Sequence, residues 1–142
     1  MREASISEAP LSVDRLLDLV RDRAVGGIAL FLGVVRDHDE GQDVTSLDYT
    51  SHPGAARVLA GCAAAVAGRH DVVSVAVQHR VGHLEVGDLA VVVAVGAVHR
   101  AEALTACAEL IEDLKATVPI WKEQAFTDGG VAWVGLPGAE QR

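Results

Sequence analysis

Apolar residues recur along this chain with two spacings, and the changes from one spacing to the other predict its elements. Ala4 to Ile6 reads as a short strand. Pro10 and Ser12 then lead into a helix, with Ser12 placed as N-cap and Leu16, Leu17 and Val20 on its apolar side. Gly26-Gly27 ends that unit. Ile28 to Val35 is a nearly continuous apolar run between turn signals, the pattern of a strand covered on both faces. After Arg36, the polar stretch Asp37 to Asp43 reads as a mobile loop before a strand from Val44 to Tyr49. Pro53 opens an Ala-rich helix that runs to about Arg69.

Val72 to His79 and Leu89 to Val98 are β-branched runs joined through Gly82 and Gly87, and they predict an antiparallel pair. His99-Arg100 follows at once. A helix from Arg100 to Thr117 is stopped by Pro119. Ile120 to Phe126, the turn Asp128-Gly129-Gly130 and Val131 to Val134 read as a closing hairpin. So many adjacent strands do not suit a doubly wound sheet. The expectation is one α+β domain over residues 1–142, with three helices and mostly antiparallel pairing.

Composition narrows the function. A net charge of −8 argues against nucleic acid or an anionic membrane as a general partner, so any anion site must be a local cluster. The apolar runs are too short to span a bilayer, and the first residues lack the pattern of a secretory leader, so a soluble, cytoplasmic protein is expected. Cys62 and Cys107 fit neither a redox nor a zinc spacing and read as two buried, reduced thiols. His38, His52, His70 and His83 share no ligand spacing, so no metal site is expected.

Ten of the twelve Lys and Arg residues are Arg, and the two lysines, Lys115 and Lys122, stand seven positions apart. An amine is not interchangeable with a guanidinium, because only the amine readily loses its proton on burial and can then act as acid, base or nucleophile. On the third helix, Ala101, Leu104, Ala108, Ile111, Lys115 and Val118 follow at steps of three or four, which puts Lys115 in the middle of an apolar stripe. Two readings stay open there: a desolvated lysine with a lowered pKa, or a helix-terminal lysine that reaches out to water. Arg36, His99 and Arg100 lie at element ends and, with the lysines, suggest a phosphate or carboxylate ligand. His79-Arg80 is a similar pair, but it is expected at the far end of its hairpin and is read as structural.

Phe31-Leu32-Gly33-Val34-Val35-Arg36, His79-Arg80-Val81-Gly82, His99-Arg100, Leu114-Lys115 and Pro119-Ile120-Trp121-Lys122-Glu123 stand in an order that resembles the large, catalytic subunit of molybdopterin synthase, over about residues 5 to 135. The resemblance implies an α/β hammerhead fold and a homodimer within a heterotetramer, with a small ubiquitin-like sulfur carrier at each end. That carrier's Gly-Gly tail, as a thiocarboxylate, would deliver sulfur to a pterin phosphate, cyclic pyranopterin monophosphate, to make the molybdopterin dithiolene of the molybdenum cofactor. No cofactor of the enzyme's own is implied. This chain ends Gly-Ala-Glu-Gln-Arg and so is not expected to be the carrier. The resemblance makes Lys115 the essential catalytic lysine and Lys122 its helper. Arg36, His99 and Arg100 become anion binders, with backbone at Val34 and Val35 and strand residues Glu123 and Gln124 nearby. Thr50 and His52 stand where many members have Glu and Tyr, and Asp37 and Asp39 where amides are frequent. Two other readings remain: a non-catalytic dimeric scaffold that binds the Gly-Gly tail, and a small enzyme forming a Schiff base on Lys115.

Overall fold

The computed structural model describes residues 2–39, 41–126 and 129–134. In order, its elements are β1 (Arg2–Ser7), α1 (Val13–Val20), β2 (Gly27–Val34), β3 (His38–Asp39), β4 (Gln42–Ser51), α2 (Ala55–Arg69), β5 (Ser74–Arg80), β6 (Gly82–Glu85), β7 (Leu89–Ala97), α3 (Arg100–Thr117), β8 (Ile120–Phe126) and β9 (Val131–Val134). The α+β expectation with three helices holds. The strands form a four-stranded sheet in the order β1-β5-β7-β2 and a second sheet in the order β3-β4-β8-β9, with β6 also on β4. Antiparallel pairing dominates; β1 with β5 is parallel.

Period-two alternation sets what each face of the first sheet buries. Val75 and Val77 of β5 and Val91, Val93 and Val95 of β7 point toward α2 and α3, where they join Leu59, Val66, Leu110 and Leu114 in the main core. Ala76, Val92 and Ala94 point the other way, against Leu16 and Val20 of α1. Each of these fully buried Leu and Val side chains contributes about 1.5–3 kcal/mol by leaving water. Helices α2 and α3 pack on each other and contribute small residues to the main core, Cys62 and Ala63 from α2 and Ala103 and Cys107 from α3. Both cysteines are free and buried. A third cluster, Val35, Val44, Leu47, Leu84 and Ala90, joins the two sheets.

Ser12 caps α1 as expected, its hydroxyl accepting from the Arg15 amide at 3.2 Å. Four other expectations need correction. Helix α2 starts after Gly54, its N-cap, so Pro53 precedes the helix instead of opening it. The polar stretch after Arg36 contains a tight hairpin, His38 opposite Asp43 and Asp39 opposite Gln42. The connection between β5 and β7 holds a strand of its own, β6, paired with β4. Strand β2, expected to be covered on both faces, is a sheet edge: Ala29 is buried, but Ile28, Leu30, Leu32 and Val34 are 39–51% exposed, because α1 packs on β5 and β7 and does not reach them. Asp128 of the predicted final turn and the C-terminal Gly-Ala-Glu-Gln-Arg lie outside the described residues. Among those described, no helix is long and apolar enough to cross a membrane.

Candidate functional site

In the β4–β8 ladder, Leu47 stands opposite Gln124 and Tyr49 opposite Lys122. Strand alternation therefore puts these four side chains on one face of the second sheet. All four line a cavity of about 430 Å³ at the junction of the two sheets. The first sheet supplies Phe31 and Gly33 from β2, His79 from β5 and Val91 from β7, and the last turn of α3 supplies Leu114 and Lys115. Val34, Val35 and Arg36, where the chain leaves β2, complete the lining together with Leu32 and Ala90. Both lysines thus enter one cavity with Arg36, although they come from a helix and a strand separated by Pro119.

The lysines differ in environment, and for Lys115 the difference selects the second of the two readings, a lysine that reaches out to water. The buried stripe of α3 is Ala103, Ala106, Cys107, Leu110 and Leu114. The stripe through Leu104 and Lys115 runs along its flank, with Leu104 61% exposed and Lys115 exposed. Lys122 is the half-buried amine. Desolvation is the main cause pulling its pKa below the ordinary 10.5; the positive charges of Arg36 and Lys115 add to that, and the buried carboxylate of Asp39 opposes it. A lysine so placed can both give and take a proton near neutral pH more readily than one in water. Arg36 is largely exposed, with Nη2 3.3 Å from Asp39 Oδ1.

Not every expected site residue reaches this cavity. His99 and Arg100 line a separate depression at the start of α3, with Gly26, Val98, Ala101 and Glu102. The fifteen steps from Arg100 to Lys115 along α3 correspond to about 22 Å of helix. Glu123 pairs in register with Asp48, and alternation turns its side chain away from the face that carries Lys122 and Gln124. Thr50 also lies off that face, His52 Nδ1 accepts the Gly54 amide at 3.1 Å, and Asp37 pairs with His38; of the positions that depart from the common pattern, Asp39 acts on Lys122. Two polar side chains of the cavity are not among the expected site residues. His79, set aside as structural, lies at the cavity end of β5, and Tyr49 packs on it edge to face with ring centroids 5.1 Å apart. Counting in twos from Val75 and Val77 would have put His79 on the α3 side. Among the described residues, no group of three or more His, Cys, Asp or Glu is placed to hold a metal ion.

Gly33 keeps the cavity floor open. A Cβ there would fall 2.5 Å from Val91 Cγ1 and 3.4 Å from Phe31 Cε2. Gly33→Ala is expected to cost about 1–3 kcal/mol through overpacking. A thermal melt should show Tm lowered by several degrees, together with weaker binding of any ligand that fills the cavity.

The model of the MoaE protein family matches residues 6–117. The "Molybdopterin synthase catalytic subunit 1" of Mycobacterium tuberculosis is 45% identical over 131 residues, 92% of this chain and 88% of that protein. The "Molybdopterin synthase catalytic subunit" of a Nostoc species is 39% identical over 139 residues, 96% of this chain and 84% of that one. Among solved structures, molybdopterin synthase from Staphylococcus aureus superposes with a TM-score of 0.88 at 29% identity, covering 95% of this chain and 98% of the other.

Proposed function

The chain belongs to the MoaE protein family, and from that premise we propose that it is the catalytic subunit of a molybdopterin synthase, which moves sulfur from the thiocarboxylate tail of a small ubiquitin-like carrier to cyclic pyranopterin monophosphate. The observation that carries this reading is the convergence of both lysines with Arg36 in one cavity between the sheets. A phosphate, a thiocarboxylate and the oxyanion that forms when its carbonyl is attacked are all anionic, and three cationic donors in a partly apolar cavity favour each of them more strongly than water does. Lys115 is the exposed cation that meets the tail and stabilises charge at its carbonyl. Lys122, with its lowered pKa, handles the proton. Gln124 offers an amide on the same face, and Val34 and Val35 offer backbone beside Arg36. Two free cysteines support a cytoplasmic setting, where thiols stay reduced.

His99 and Arg100 enter the proposal through a second copy of the chain. Strand β2 is a sheet edge with an exposed apolar face. An isologous contact would pair it antiparallel with its own copy, so that the start of one strand lies beside the end of the other. Gly27, at the start, packs directly on Arg100; a Cβ there would lie 3.3 Å from the Arg100 Cα. Val34, at the end, borders the lysine cavity. In such a homodimer, His99 and Arg100 of one protomer approach the cavity of its partner and add to its positive charge. A carrier on each outer end completes a heterotetramer.

Co-expression with a small protein ending in Gly-Gly is the direct test. We expect the two to copurify, and the complex, with its carrier thiocarboxylated, to convert the pterin phosphate into a dithiolene. Stable copurification without any sulfurated pterin would favour the non-catalytic scaffold instead.

A further inference from the structure

The three cations of the cavity can only donate hydrogen bonds, so they account for the anionic oxygens of a reactant and leave its N–H groups without partners. Side-chain acceptors come from Tyr49, Gln124 and His79, the other polar side chains lining the cavity. The first two are ambivalent, since a phenol and an amide each donate and accept. His79 is not. Its Nδ1 lies 2.7 Å from the Arg80 carbonyl oxygen, which can only accept, so Nδ1 carries the proton and donates it there. In the neutral ring Nε2 is then a lone-pair acceptor. It has no protein partner among the described residues, yet it is not among the buried polar atoms left unsatisfied there, so it remains open to a ligand. The edge-to-face contact with Tyr49 at 81° fixes the ring plane.

We propose that His79 Nε2 accepts a hydrogen bond from an N–H group of a bound reactant, which makes His79 a substrate-positioning side chain on the wall that the first sheet supplies. This rests on the sulfur-transfer reading above. Burial favours the uncharged ring and lowers the pKa of His79 below the ordinary imidazole value, with the bond to the Arg80 carbonyl opposing in part. The required form is therefore the one present at neutral pH. Two reactants carry such N–H groups: the pterin ring and the backbone amides of the Gly-Gly tail.

Two near-isosteric substitutions separate this role from a structural one. The amide nitrogen of His79→Asn overlays Nδ1 and keeps the bond to Arg80, but nothing replaces Nε2. In His79→Gln the amide reaches the Nε2 position and restores an acceptor. With cyclic pyranopterin monophosphate and thiocarboxylated carrier varied in turn, His79→Asn is expected to raise KM for one of them about tenfold, the value of one lost hydrogen bond, with kcat and Tm little changed. His79→Gln is expected to stay within about threefold of wild type. The reactant whose KM moves is the one that His79 holds. Wild-type KM values for His79→Asn would overturn the assignment, and so would equal losses in both variants, which would show that the ring matters only to the fold. Failure of the parent reading shows separately, as a wild-type complex that turns over no pterin before any residue is changed; that result would overturn both.

Discussion

Lys115→Ala is expected to leave no measurable dithiolene product when it is incubated with thiocarboxylated carrier and cyclic pyranopterin monophosphate, a loss of at least about 10³-fold. Removing one preorganised donor to a developing oxyanion costs on the order of 10²–10³ in rate, and Lys115 also carries charge needed to bind an anionic tail. Lys122→Ala should fall nearly as far, but by a different route with its own signature. In the folded chain the protonated form of Lys122 is disfavoured by desolvation and by the charges of Arg36 and Lys115. Its amine therefore loses its proton below pH 10.5, and Lys115→Ala, by removing one of those charges, should move that titration upward. Because these are the only lysines in the sequence, two resonances from isotopically methylated amines would report both sites. The same desolvation costs stability wherever the unfolded lysine is protonated, and that cost disappears above the unfolded pKa. Lys122→Met should accordingly raise Tm by a few degrees at neutral pH while it abolishes turnover. Undiminished product from Lys115→Ala, or a Lys122 amine that titrates at or above 10.5, would remove the basis for these roles.

Residue pattern made the elements legible, and pairing between distant strands decided what it could not reach. The helix spanning Arg100–Thr117 and the antiparallel pairing of β5 with β7 follow from local periodicity. Which flank of that helix is buried depends on the sheet beneath it: steps of three and four fit the Leu104–Lys115 stripe as well as the Ala103–Leu114 stripe, and the packing of α3 on β2 and β7 selects the second. Lys122 shows the converse. Nothing local marks it as desolvated, since its partial burial arises from lying opposite Tyr49, 73 residues away in sequence, across the ladder. His79 was lost to a wrong inference about which end of the hairpin faces the site. Its position depends on the second sheet folding back over the first, which no short-range pattern encodes. The apolar run of β2 predicts a doubly covered strand because sequence alone does not show which elements of the fold reach each face, and α1 packs on β5 and β7 instead.

That last ambiguity leads to the second large effect. Ile28→Asp combined with Leu30→Asp places two carboxylates on the exposed face of the edge strand, where the single chain leaves each side chain about 40% exposed and away from the lysine cavity. The folded monomer should tolerate these substitutions, since both sites already meet water, while a self-paired β2 would bring four like charges together and force them out of solvent. Sedimentation should then show monomers at concentrations where the wild type is dimeric. On the proposed pairing, turnover should fall to the level of Arg100→Ala, because each cavity would lose the arginine its partner donates. Mixing two inactive proteins tests the donation itself. Arg100→Ala and Lys115→Ala each spoil every cavity in their own homodimers. In a mixed dimer, the cavity with an intact Lys115 receives its Arg100 from the other protomer and is whole. Random exchange makes half of the dimers mixed with one whole cavity each, so about a quarter of wild-type activity should return. If Arg100 instead served its own protomer, no cavity in the mixture would be restored by exchange, because the only chain with Lys115 would still lack the arginine.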